Sequence, residues 1–465
     1  MGTDDTPVYG DRLVAVEPGG VEPVSDPDRH GRAHQLFWTW ASPNLEFTTV
    51  FIGVLAVSGF GLGFWRACLA MAVGNLLGSA VHAVLSSRGP DLGVPQMVLS
   101  RAAFGHRGNA LPAALMSLMA GVGWFAVNSV SGSFALSALT GLPVVGCLAA
   151  VVLAQVVIAF FGHNLIQSYE KYIFGVLAAI FAVVAVVVLG RTDPGAAPVA
   201  ERPGAFLLAV GAAFGYTAGW SPFAADYTRY LPRSVNRRAV GVFAGLGLFV
   251  PATLLMAVGA AATRVATGTA DNPTAAFTAQ LPPLLAAATL LAVTLGAVAA
   301  NVLNVYSGAL AFLCLGLRLP FRWRRAVVAV GFGAVGFALA WSGLADAGRA
   351  YESFLLVIAY WVGPWLGVVL VDHRLRRGTR TDHLLDDPGH RNPAGVTAFV
   401  VGVLVSVALF ANQSPYTGPI PRAFPWLGDI TYLVGFAVAA LLHASLSRKP
   451  AADRRPHPVR AGSAE

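Results

Sequence analysis

Stretches of apolar residues long enough to cross a lipid bilayer recur from one end of this chain to the other, and no other feature limits its possible folds as severely. A helix needs about 20 residues to span a hydrocarbon layer of ~30 Å. By that measure about twelve spans are expected, near residues 36–63, 66–86, 109–138, 142–162, 170–190, 205–223, 239–263, 284–316, 325–342, 350–371, 394–411 and 430–447. Of the 465 residues only 12% are charged, whereas a soluble domain carries about 25%. The folded chain is built for lipid. Its runs are continuous and rich in Ala, Leu, Val and Gly, without the alternation a membrane barrel strand requires. The expected class is an all-α integral membrane protein of about 12 transmembrane helices, filling residues 36–447.

The flanks differ in kind. Residues 1–35 carry Asp4, Asp5, Asp11, Glu17, Glu22, Asp26 and Asp28 among Pro and Gly. They have no basic segment ahead of an apolar core, so they are expected to form a disordered tail rather than a signal peptide. Residues 448–465 are expected to form a second, basic tail. Cys68, Cys147 and Cys314 lie inside apolar runs without metal-ligand spacing, so they are expected to be packing residues, with no metal and no cofactor. The stretch 88–107 is too polar and too rich in Gly and Pro for an ordinary span, and is expected either to re-enter the membrane or to lie on its surface.

If both termini are cytoplasmic, about 25 of the Lys and Arg fall inside and about 6 outside, the asymmetry that basic loops impose on membrane topology. This places the chain in a cell membrane with both ends cytoplasmic. It also assigns the net charge of +8 to the anionic inner leaflet rather than to nucleic acid, because the basic residues are dispersed over many loops.

Among functions open to such a chain, an enzyme is unmotivated, since no HExxH, GxSxG or Walker A sequence occurs. No pore-lining ring or filter motif argues for a channel. Two spans are instead rich in helix-weakening residues. The first carries Gly53, Ser58, Gly59, Gly61 and Gly63, and the sixth Gly211, Gly215, Gly219, Ser221 and Pro222. They lie five spans apart, where an inverted repeat of five plus five helices puts its matched discontinuous pair. Close helix packing is the plainer use of such glycines.

Four separated motifs add to this. Trp40-Ala41-Ser42-Pro43-Asn44 opens the first span. The run Gly93-Val94-Pro95-Gln96-Met97-Val98-Leu99-Ser100-Arg101-Ala102-Ala103-Phe104-Gly105 is followed by Gly123-Trp124-Phe125-Ala126-Val127-Asn128. Then come Ser221-Pro222-Phe223-Ala224-Ala225-Asp226-Tyr227-Thr228-Arg229-Tyr230-Leu231-Pro232 and Asn301-Val302-Leu303-Asn304-Val305-Tyr306-Ser307. In this order they resemble the purine/cytosine permease branch of the nucleobase:cation symporter family, over most of residues 36–450. The resemblance implies a LeuT-like fold, with inverted repeats at about 36–190 and 205–371 and two extra helices at about 394–447. It implies a secondary active transporter that imports cytosine, a purine or a similar flat heterocycle by alternating access. A carrier of a hydantoin, allantoin or a vitamin ring shares the fold, and a receptor or membrane enzyme without flux is the more distant alternative.

The resemblance also implies a site. Trp124 corresponds to the tryptophan that stacks on the substrate ring, and an indole face suits a planar heterocycle. Asn128, one turn later, offers a donor and an acceptor to the ring edge. The family's second stacking aromatic corresponds to Thr217, which has no ring, so either Tyr216 or Trp220 is expected to replace it or the ligand is bound differently, with unwound backbone from Gly215 to Gly219 supplying hydrogen bonds. Asn301 and Asn304 are candidate contacts on the eighth span, or hydrogen-bonded glue between helices. Asp226 and Arg229 are expected to be structural.

The cation-site region corresponds to Gly53 and Ala56 on the first span and Gly296, Ala299 and Ala300 on the eighth. Sodium-coupled relatives carry hydroxyls where this chain has Ala299 and Ala300, and a hard cation needs oxygen ligands. The sodium site is therefore expected to be absent or badly weakened, and transport to be driven by protons or uncoupled. Ionisable residues inside spans are costly and default to function, which selects Glu46 as a possible proton carrier and His82 as a second. An interfacial cap is the plainer reading of Glu46, and His82 is readable as a side chain snorkelling to the boundary.

Overall fold

The computed structural model describes residues 12–17, 20–195, 200–263, 272–316, 324–343, 347–413 and 416–447, with the backbone alone at 324–325, 343 and 347–353. Long helices dominate. The first span is a bent pair, α1 (Gln35–Asn44) and α2 (Phe47–Gly59), meeting at 60°. It is followed by α3 (Phe64–Ser86), α4 (Ala110–Thr140), α5 (Val144–Phe161) and α6 (His163–Arg191). After these come α7 (Ala205–Ala218), α8 (Arg237–Ala262), α9 (Pro283–Leu313) and α10 (Arg324–Gly343). The series ends with α11 (Ala347–Leu375), α12 (Pro393–Phe410) and α13 (Thr431–Leu446). Among the described residues eight helices, or nine with the bent pair, are long and apolar enough to cross a membrane, while Ala326–Ser342 and Thr431–Leu446 are shorter apolar helices. That length test supports fewer spans than the twelve expected.

The helices pack in two groups. In one, α3 lies against α7 and α8, and α8 against α1 and α2; in the other, α4, α5, α9 and α10 pack on one another. Glycines make the first group tight. A Cβ on Gly53 would meet the Met256 carbonyl oxygen at 1.8 Å, and one on Gly259 the Val50 carbonyl oxygen at 1.8 Å, so α2 and α8 approach backbone to backbone. Beyond these groups, α11 packs on α12 and α13.

Both spans expected to be discontinuous are so, the sixth at the Gly219, Ser221 and Pro222 that marked it and the first ahead of its glycines. The first breaks at Leu45 and Glu46, just after the Ser42–Asn44 turn, and the run containing Ser58 and Gly59 only forms a π-helical turn, Leu55–Gly59. The sixth stops after 14 residues, about 21 Å of helix. The chain then runs through buried turns from Trp220 to Leu231, with a single 3-10 turn at Ser221–Phe223. Pro222 accounts for that stop, because a proline inside a helix removes a backbone hydrogen bond.

Residues 88–107, expected to re-enter the membrane or to lie on its surface, form short buried helices at Gly89–Leu92, Gln96–Leu99 and Arg101–Phe104. One sequence expectation is corrected here. The first tail is packed where it is described: Glu17 is 2% exposed, its backbone N–H donates to Phe161 and its carboxylate accepts from the Arg229 guanidinium at 2.8 Å. An aspartate- and glycine-rich composition reads as solvated, but one buried ion pair and a few backbone bonds hold it down. Residues 1–11 and 448–465 lie outside the described residues.

Candidate functional site

The middle of the molecule, where the two helix groups face each other, collects polar side chains from α2, α4, α7 and α9. On α4 a π-helical turn, Met119–Trp124, widens the helix and ends on Trp124; such turns often mark functional positions. Trp124 is 5% exposed. It meets Tyr216 of α7 edge to face at 5.6 Å and Phe354 of α11 at 5.2 Å. Trp220 is elsewhere, packed edge to face with Trp40 and Phe223. Of the two aromatics expected to face Trp124 from the sixth span, the structure puts Tyr216 there.

Polar groups form a continuous chain beside the rings. The Asn128 amide donates to Asn301 Oδ1 at 3.1 Å, and its own Oδ1 accepts from Thr48 at 3.3 Å. Asn301 donates to the Phe125 carbonyl and to Ser129, and its oxygen also accepts from Asn304 at 3.2 Å. All four hydrogen-bonding positions of Asn301 are thus occupied, so it ties α4 to α9. Asn304 Oδ1 is buried without a partner, which leaves it the open acceptor of the cluster. From α2, the Thr49 hydroxyl donates to the Asn44 carbonyl and lies 2.5 Å from the Tyr216 hydroxyl.

Other expected residues fall outside this cluster. Thr217 donates to its own helix at Ala213 and faces α3, where a Cβ on Gly78 would reach its hydroxyl at 2.1 Å. The backbone of Gly215 is not free: Gly219 N–H donates to its carbonyl, and its missing side chain lets α11 approach at Leu355. Gly53 serves the α2–α8 contact. Ala56 is about 15 Å of helix beyond the break, its carbonyl accepting from Leu62 N–H. His82 does not snorkel; it is fully buried against the Trp40 ring at 4.2 Å.

The break in the first span lies against α9. A Cβ on Gly296 would sit 2.5 Å from the Leu45 carbonyl oxygen and 2.8 Å from Glu46 Cβ. Ala299 and Ala300 follow one turn later on the same face, both buried. Glu46 is 1% exposed, stands at the N-terminus of α2 beside the N–H groups of Phe47, Thr48 and Thr49, and neither carboxyl oxygen completes a hydrogen bond. The structure therefore brings together Glu46, Gly296, Ala299 and Ala300, and separates Gly53 and Ala56 from them. Among the described residues no group of three or more His, Cys, Asp or Glu is placed to hold a metal ion.

Asp226 accepts from the Gln96 backbone N–H at 2.8 Å, anchoring the 88–107 segment, and Arg229 binds Glu17. Thr48, Thr49 and Phe354 belong to the central cluster although sequence reasoning did not select them. Two adjacent hydroxyls just after Asn44 were the available signal for the threonines. Phe354 carries none, because an aromatic on an apolar helix is ordinary.

Residues 23–435 match the model of a family described as permeases for cytosine/purines, uracil, thiamine and allantoin. A putative purine-cytosine permease of Bacillus subtilis is 30% identical over 95% of this chain and 98% of its own. A purine-cytosine permease of Emericella nidulans is 28% identical over 95% of this chain and 92% of its own. In fold, the chain is similar to a nucleobase-cation-symport-1 family transporter solved in a closed conformation with bromovinylhydantoin bound. That similarity has a TM-score of 0.71 at 19% identity and covers 92% of this chain and 94% of the other.

Proposed function

Since the chain belongs to the family of permeases for cytosine/purines, uracil, thiamine and allantoin, we propose that it imports a nucleobase, cytosine or a purine, across a cell membrane by proton-coupled alternating access. It is a secondary transporter with a LeuT-like fold. The observation that carries the substrate reading is the meeting of Trp124 and Tyr216 beside the Asn128–Asn301–Asn304 chain. A base is a flat ring with donors and acceptors on its edge. The indole face supplies stacking, worth about 0.5–1.5 kcal/mol beyond area burial. Asn304 Oδ1 and the hydroxyls of Thr48 and Thr49 supply edge contacts. A ring stacked face to face on Trp124 requires Tyr216 or Phe354 to turn aside, so binding and rearrangement are linked.

The two helix groups suit alternating access, because the site draws α2 and α7 from one and α4 and α9 from the other. Rocking one group against the other exposes the same side chains to either side. Glu46 lies in that seam. A buried carboxyl without a cationic partner is tolerated as the neutral acid, and Ala299 and Ala300 offer no side-chain oxygens to sodium. Glu46 is accordingly the side chain that takes and releases the coupling proton. Both termini lie in the cytoplasm under this reading, following the distribution of Lys and Arg.

Uptake of labelled cytosine, adenine, hypoxanthine, uracil and allantoin into proteoliposomes, under imposed proton and sodium gradients, tests this. Saturable, proton-driven uptake of a base that Trp124→Ala abolishes is the expected result. Accumulation that follows sodium at fixed pH and potential refutes the proton reading, and uptake of allantoin alone refutes the nucleobase.

A further inference from the structure

One buried carboxylate has no place in the scheme above. Glu170, on α6, is 0% exposed. One of its oxygens contacts the Ser42 hydroxyl and the other has no hydrogen-bond partner. Among the described residues no Lys, Arg or His forms an ion pair or a hydrogen bond with it. The ionisable groups facing it are phenols, Tyr169 on α6 and Tyr227 from the turns after α7. From α9 only the Leu295 carbonyl engages that neighbourhood, through the Tyr169 hydroxyl at 2.9 Å.

The contact with Ser42 is informative through its proton count. Ser42 has one hydroxyl proton, and its oxygen lies 3.0 Å from the Trp38 carbonyl, which can only accept. When that bond is made, the contact between Ser42 and Glu170 needs a proton from Glu170. The arrangement thus accommodates a protonated Glu170, with Ser42 rotating to serve the ionised form. Ser42 also opens the Ser42–Asn44 turn that leads into the break at Glu46. Gln167 and Lys171, within one turn of Glu170 on α6, line a cavity of about 440 Å³ together with His163 and Tyr227.

From these contacts we propose that Glu170 is a second proton-binding side chain of the transporter, held at the Ser42 turn that leads into the break of the first span. The proposal rests on the proton-coupled reading above. As the carboxylate it takes up a proton from water and becomes neutral, and it returns that proton to water when it ionises again. A glutamine would make the Ser42 contact equally well, so packing alone gives no reason for a carboxyl in this position.

Glu170→Gln and wild type are compared in proteoliposomes with labelled cytosine, by counterflow exchange without a gradient and by accumulation under an inward proton gradient. The expected result is exchange within about twofold of wild type, with accumulation reduced at least tenfold and partly restored by Glu170→Asp. Accumulation equal to wild type overturns the proposal, as does a parallel loss of exchange and accumulation in protein that melts normally. If Glu170→Gln does not fold, Ser42→Ala decides. Removing the hydroxyl must shift the pH of half-maximal accumulation, and an unchanged profile overturns the proposal. Wild-type protein that exchanges cytosine yet never accumulates it with protons refutes the coupling reading instead.

Discussion

Asn301 illustrates how a residue's role depends on what its neighbours leave free. It lies on the apolar α9, and its type suggested either a substrate contact or a link between helices; with all four hydrogen-bonding positions used, the link is what the geometry supports. Asn301→Ala should strand the buried amides of Asn128 and Asn304, at a cost of about 1–3 kcal/mol. The expected readout is a melting temperature in detergent several degrees lower, whereas Asn304→Ala, which loses a single bond, should lower it less and weaken cytosine affinity more. Tyr216→Phe keeps the ring beside Trp124 and removes the hydroxyl near Thr49. It should retain uptake within a few fold, while Tyr216→Ala should lose most of it. Equal losses in both would assign the role to the hydroxyl.

At the scale of elements, the break in the first span decides where the chemistry sits. Glycines were the visible signal for unwinding, yet Gly53 lies in regular helix and the break falls at Leu45 and Glu46. The reason is that a glycine in a membrane helix also permits close packing, and Gly53 and Gly259 are used for that. Gly296 bears the matching constraint from α9. Gly296→Val would drive a side chain into the Leu45 carbonyl oxygen, 2.5 Å from where Cβ must lie, and should abolish uptake. Gly175→Ala, on α6 with open space around it, should leave transport and melting unchanged. Uptake retained in Gly296→Val would mean that the break can shift without loss of function.

For the whole molecule, the buried connection from the N-terminal segment is the least expected feature. Glu17 joins Arg229, Tyr230 and Tyr306, linking residues more than 200 positions apart in the chain. Removing one member of a buried ion pair costs about 3–5 kcal/mol because the other charge is left unpaired. Glu17→Ala should therefore lower the melting temperature clearly, and Arg229→Met in the same chain should recover part of the loss; additive effects would show that the pair contributes little. The sequence by itself determined that this is a helical membrane protein. Helix ends fell within a few residues of the structure for most spans, because a hydrocarbon layer imposes length and apolarity on each segment independently of its neighbours. Four ordered motifs likewise marked Trp124, Asn128 and the eighth span. What only the tertiary structure decided was which side chains meet: Tyr216 rather than Trp220 or Thr217 opposite Trp124, Glu46 against Gly296, and Glu17 inside the core. Those meetings depend on how helices rotate and cross, which is set by contacts between segments distant in the chain and therefore leaves no periodic trace in any one of them.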